Sequence, residues 1–105
     1  DSTLSAPGMP KSGHMANNHA KVAASAILNL LAGAPVNPAP MLMNACFSYI
    51  TDEQAIHVVS VHHYDVAKKT MVAVPGSGGV PPAMSPFIGR AANAWAKNIW
   101  ADSLG

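Results

Sequence analysis

A chain of 105 residues, half of them apolar, 10% charged and with a formal net charge of +1, can bury roughly 60–70% of its unfolded surface in one core but cannot form two independent domains. The near balance of charge argues against the basic field that phosphate-backbone binding relies on, so no nucleic-acid partner is expected. The lone cysteine, Cys46, excludes an internal disulfide framework and a Cys-rich zinc module, and the longest apolar run, around residues 22–31, falls far short of the ~20 residues that span a bilayer. A solvated surface usually draws on about a quarter charged residues. The low charge here therefore fits either apolar surface that faces a partner or a compact Ala/Pro/Gly-rich domain. With no initiating Met and no basic, apolar leader, the chain reads as a processed or excised piece of a longer one.

Residues 1–14, DSTLSAPGMPKSGH, carry the Pro, Gly and Ser punctuation of a loop. From Met15 onward Ala16, Ala20, Val22, Ala23, Ala26, Ile27, Leu30 and Leu31 recur at three- and four-residue steps, which predicts a helix over 14–32 with Ser12 as its cap and Gly33 as its stop. Its small alanine faces suggest close packing against a sheet. Pro35, Pro38 and Pro40 make residues 34–40 an extended connector.

Two strand-like runs follow, 41–50 and 55–64, separated by the polar turn Thr51-Asp52-Glu53-Gln54. The second run is apolar on both faces through its middle, which predicts a central strand whose histidine ends emerge into solvent. A third antiparallel strand is expected over 69–74. The stretch PGSGGVPP at 75–82 is not expected to continue any sheet. Ser85-Pro86 then opens a second helix to about Asp102, with Ser85 as cap and Pro86 in its first turn. The expected fold class is α+β, a three-stranded antiparallel sheet flanked by an N-terminal and a C-terminal helix.

Several chemistries are weak here. There is no G-x-S-x-G elbow for a hydrolase triad. His62 and His63 point to opposite strand faces and His57 lies five residues away, so no metal site is expected from one chain. PGSGG lacks the strand, Lys-Ser/Thr pair and spacing of a phosphate loop. More informative is Gly8-Met9-Pro10-Lys11-Ser12-Gly13-His14, in which a loop carrying a lysine runs into the positive end of an Ala-rich helix, a place suited to electron-rich ligand atoms or to ordinary capping. Cys46 lies mid-strand between Asn44 and Ser48 on one polar-looking face, and reads either as a small inert hydrophobe or as a reactive thiol. Trp95 and Trp100 are by default core or interface anchors.

Asp1, Pro10-Lys11-Ser12-Gly13, Ala16-Asn17, Ala20-Lys21-Val22-Ala23, Asn44-x-Cys46-x-Ser48, Val74-Pro75-x-Ser77-Gly78-Gly79-Val80, Trp95-x-x-Asn98-Ile99, Asp102 and Gly105 together resemble the C-terminal quarter of the flavoprotein subunit of flavocytochrome c sulfide dehydrogenase. The resemblance runs in order along nearly the whole chain. It implies a periplasmic, FAD-dependent sulfide dehydrogenase flavoprotein of the glutathione-reductase type that passes electrons to a cytochrome c subunit. Residues 1–33 would then end the FAD-binding region and 34–105 form the C-terminal flavin-binding and interface domain.

By the same resemblance Asp1 bonds the flavin ribityl chain, and Lys11, Ser12 and Gly13 lie by the pyrimidine ring at the helix start. Such a helix start with a lysine stabilises the negative charge that reduced flavin carries near N1 and O2. Cys46 is implied to be one member of a redox disulfide beside the isoalloxazine, where sulfide enters by thiol exchange. Trp95 is implied to shield the flavin. The G-x-G-x-x-G dinucleotide fold and the partner cysteine are then expected in an N-terminal region outside this sequence, leaving the FAD site incomplete. The alternative is a non-catalytic interface or dimerisation module of a flavin disulfide-reductase-like protein.

Overall fold

The computed structural model describes residues 5–81 and 83–105. In chain order it contains α1 (Gly13–Leu31), β1 (Met41–Tyr49), β2 (Ala55–Asp65), β3 (Thr70–Ala73) and α2 (Pro86–Leu104). The strands form one antiparallel sheet in the order β1-β2-β3, with β2 central and a helix at each end of the chain, the α+β arrangement expected.

Both helices start where the expected caps stand. Ser12 is extended (φ −137°, ψ 154°) and its Oγ accepts from the Met15 amide at 3.1 Å. Ser85 does the same for the Ile88 amide at 3.2 Å, and Pro86 occupies the first turn, where an amide hydrogen has no use. Beyond α1, Gly33 takes a left-handed φ of +68°, and its amide and that of Ala34 close back on the carbonyls of Leu30 and Asn29. Replacing Ser12 by Ala is expected to cost about 1–2 kcal/mol, because the Met15 amide loses its acceptor. A denaturant midpoint checks this, and an unchanged midpoint would show that the cap contributes nothing.

The β1–β2 register runs from Met41↔His63 to Tyr49↔Ala55, so even-numbered residues of both strands share one face. On that face Leu42 joins Ala6, Met9 and Met15 in the buried core, with Val22 and Met71 packed against it. The odd-numbered face meets the start of α2. There Tyr49 Oη donates to the Gly89 carbonyl at 2.6 Å, and Ser85 and Ala55 exchange backbone hydrogen bonds of 3.0 and 3.2 Å. Ala55, Ile88, Gly89 and Ala92 are buried at this contact.

Three expectations change. The loop after β3 does pair with the sheet at isolated points: Gly79 exchanges two hydrogen bonds with Val59, and Ser77 Oγ accepts from the Val61 amide at 3.0 Å. A hydroxyl here does for β2 what the Pro-broken backbone cannot. His62 does not emerge into solvent. It is 5% exposed, between Leu42 on β1 and Ala73 on β3, with Nε2 2.9 Å from Ser60 Oγ. The strand runs on to Asp65, so His62 is an interior position with a partner on each side rather than a strand end. Finally, α1 packs against the sheet only through its first half. Met15 is its one buried residue, while Ile27, Leu28, Leu30 and Leu31 are 56–81% exposed. No described helix is long and apolar enough to cross a membrane.

Candidate functional site

The even face of β1 brings Cys46 to the start of α1 through one intervening side chain. Asn44, two residues before Cys46 and therefore on the same face, is 2% exposed. Its Oδ1 accepts from the Ser12 hydroxyl at 2.5 Å and from Cys46 Sγ at 3.4 Å. The helix cap, the amide and the thiol thus form one continuous chain of hydrogen bonds, in which Ser12 accepts from Met15 and donates to Asn44. Cys46 itself is half-buried and has no disulfide partner among the described residues. The amides of Gly13 and His14, the first two of α1, have no acceptor among the described residues. They add free N–H donors to the positive end of the helix dipole beside this cluster.

Trp95 reaches the same helix start from α2. Its indole Nε1 donates to His14 Nδ1 at 2.9 Å, and its ring lies 6.2 Å from the imidazole and 5.9 Å from the Phe47 ring, centre to centre. Phe47 in turn meets His57 edge-on at 6.0 Å. A nitrogen that accepts an indole hydrogen carries a free lone pair, so His14 is neutral there. Burial, and then the nearby Lys21 ammonium, hold its pKa below the ordinary 6.5. Burial alone does the same for His62.

Because the folded forms of both histidines bind protons less readily than the unfolded chain, stability is complete above 6.5 and declines as the pH falls through their folded values. A urea midpoint measured at about pH 7.5 and again at about pH 5 is expected to drop, with part of the drop removed in His14→Gln. A midpoint that rises on acidification would contradict the burial assigned to these rings.

Lys11 is exposed beside the cluster and makes no hydrogen bond or ion pair among the described residues. Asp1 lies outside the described residues. The structure therefore brings Ser12, Gly13 and Cys46 together and places Trp95 one ring away, on His14 and Phe47 rather than on the thiol. Lys21 does not belong to the cluster. It pairs with Asp102 at 2.8 Å, and this contact, as hydrogen bond first and as charge second, holds the Asp102 carboxyl below its ordinary value. No group of three or more metal-ligating side chains converges among the described residues. A groove of about 570 Å³ between the β1–β2 turn and α2, lined by Tyr49, Glu53, Arg90 and Lys97, contains none of these site residues.

Asn44, His14 and Phe47 were not singled out by the sequence as site residues. The i, i+2 spacing of Asn44 and Cys46 was the available signal for the first. The other two needed the tertiary contact with Trp95.

Residues 38–104 match the family model described as flavocytochrome c sulphide dehydrogenase, flavin-binding. The chain belongs to this family. The match takes in Asn44, Cys46, Phe47 and Trp95, while α1 and its cap precede it. A flavin is thus the cofactor against which the site must be tested. The free amides of Gly13 and His14, with the exposed Lys11, fit the electron-rich edge of such a ring, and the half-buried Cys46 is tied to the same helix start through Asn44.

Proposed function

We propose that this member of the flavocytochrome c sulphide dehydrogenase flavin-binding family is the C-terminal part of an FAD-dependent flavoprotein that oxidises sulfide and passes the electrons to a cytochrome c subunit. The observation that carries the reading is the hydrogen-bonded chain from the α1 cap through Asn44 to Cys46, which fixes a reactive-type atom beside a helix start with free N–H donors. A thiol serving only as core filler would have no need of that placement.

FAD, when bound, supplies a two-electron acceptor. The residues of this chain have distinct parts. Ser12 holds the first turn of α1 in place, Gly13 and His14 offer their amides to the negative edge of the cofactor, and Lys11 adds a positive charge there. Cys46 is the sulfur at which sulfide is captured: in a disulfide with a cysteine from outside this sequence, attack by HS⁻ forms a new S–S bond and releases one thiolate. Trp95, locked by His14 and Phe47, walls the site on the α2 side. On this reading residues 1–33 complete the FAD-binding region, 34–105 form the C-terminal flavin-binding and interface domain, and the protein works in the periplasm.

The exposed Ile27, Leu28, Leu30 and Leu31 favour a second reading, a non-catalytic interface or dimerisation module. Sedimentation separates the two. Self-association that strengthens with concentration, in protein that binds no flavin, supports the interface module, whereas flavin retention with sulfide-dependent bleaching supports the enzyme.

A further inference from the structure

We propose that Asn44 is the positioning residue of Cys46, its side-chain amide turning to offer an N–H to the sulfur once the thiol has lost its proton. The proposal deepens the reading of Cys46 as a reactive thiol and rests on it. Asn44 is 2% exposed, yet only its oxygen is engaged: Oδ1 takes hydrogens from both Ser12 Oγ and Cys46 Sγ, while Nδ2 donates to no acceptor among the described residues. No fully covered side-chain nitrogen or oxygen lacks a partner within that set, so Nδ2 keeps some contact with solvent.

A buried amide with a committed oxygen and an uncommitted nitrogen suits the thiol form of Cys46 only. When the thiol loses its proton to solvent, Sγ has no hydrogen left to donate and carries a negative charge 3.4 Å from a carbonyl oxygen. That contact turns from a hydrogen bond into repulsion. Rotation about the terminal torsion of Asn44, which is broad and roughly two-fold, exchanges oxygen and nitrogen. One Nδ2 hydrogen then meets the thiolate and the other meets Ser12 Oγ, whose second lone pair is free beside the one that holds the Met15 amide. The Ser12 hydroxyl hydrogen turns outward from a half-buried position. Both arrangements keep Ser12, Asn44 and the sulfur joined by hydrogen bonds, and the α1 cap survives in both. The amide thus follows the protonation state of the sulfur without disturbing the helix start.

Two measurements on the intact protein, with the disulfide proposed for Cys46 first reduced, test this. The rate of Cys46 alkylation by iodoacetamide near neutral pH is expected to fall about tenfold in Asn44→Leu, the scale of one hydrogen bond to a charged group. In the parent protein the ¹H and ¹⁵N signals of the Asn44 side-chain amide are expected to move as Cys46 loses its proton, and to stay still over the same pH range in Cys46→Ser. An alkylation rate unchanged or raised in folded Asn44→Leu, or amide signals that ignore the state of Cys46, overturns the proposal. The amide signals decide the matter by themselves if Asn44→Leu does not fold. Either failure leaves the role of Cys46 standing where sulfide still bleaches flavin in a Cys46-dependent way, whereas bleaching that survives Cys46→Ser removes the underlying reading.

Discussion

Cys46→Ser is expected to abolish the bleaching of bound flavin by sulfide in the intact, flavin-loaded protein, slowing it by at least about a thousandfold, as the loss of a covalent catalytic group does. The oxygen of serine keeps the shape of the site and its hydrogen bond to Asn44. It cannot form the S–S bond through which sulfide is held, and at neutral pH its hydroxyl is not ionised. Folding should be little affected, since Cys46 is only half-buried and bears no disulfide within this chain. Flavin content and the denaturant midpoint should therefore stay close to those of the parent with its Cys46 disulfide reduced, which separates a lost reaction from a lost fold. Bleaching at the parent rate would show that sulfide reaches the flavin without Cys46.

The largest effect on stability is expected from Gly89→Ala. Gly89 is buried in the second turn of α2, where the helix crosses the β1–β2 turn. A Cβ built there would run into the Glu53 backbone carbonyl oxygen, with the carbonyl carbon 3.1 Å away and the Tyr49 ring 3.5 Å away. Glu53 cannot move alone, because its neighbours in the turn are tied: the Ile50 and Thr51 amides bond the Gln54 carbonyl, and Thr51 Oγ1 accepts from Glu53 and Gln54. The alternative is for α2 to lift away, which would break the 2.6 Å bond from Tyr49 Oη to the Gly89 carbonyl and uncover Ala55, Ile88 and Ala92. Alanine is the better helix former by about 1 kcal/mol, so any net loss measures the clash. A destabilisation of about 2–3 kcal/mol is expected, or roughly a 10 °C fall in Tm for a chain of this size. A stabilised variant would mean that α2 does not rest on this turn.

Most of the backbone was legible because its signals are local. The serines at 12 and 85, Pro86, Gly33 and the polar turn before Ala55 act through their own neighbours in sequence, and each stands where the structure uses it. The helix expected over 14–32 is found at 13–31, and the central position of the second strand follows from its two apolar faces. What the sequence could not convey depends on contacts between distant residues. The spacing of α1 reports which side chains share a face but not which face meets the sheet, and its larger aliphatic residues point outward. Likewise the sequence places His62 near a strand end, but in space Leu42 and Ala73 flank it and cover it.

The site divides the same way. Cys46, Ser12 and the helix start were visible as residue types in telling positions. That Asn44 joins the first two depends on β1 lying under the cap of α1, a contact across 32 positions. The bond from Trp95 to His14 spans 81. No pattern along the chain encodes either one.

The central claim is that one flavin ring meets both Cys46 and the start of α1, and the structure of the intact protein with flavin bound tests it most directly. The expected result is Cys46 Sγ in van der Waals contact with the ring, at about 4 Å or less, with the Gly13 or His14 amide about 3 Å from an electron-rich atom of the same ring. A flavin seated elsewhere, with Cys46 facing only protein or solvent, would contradict it.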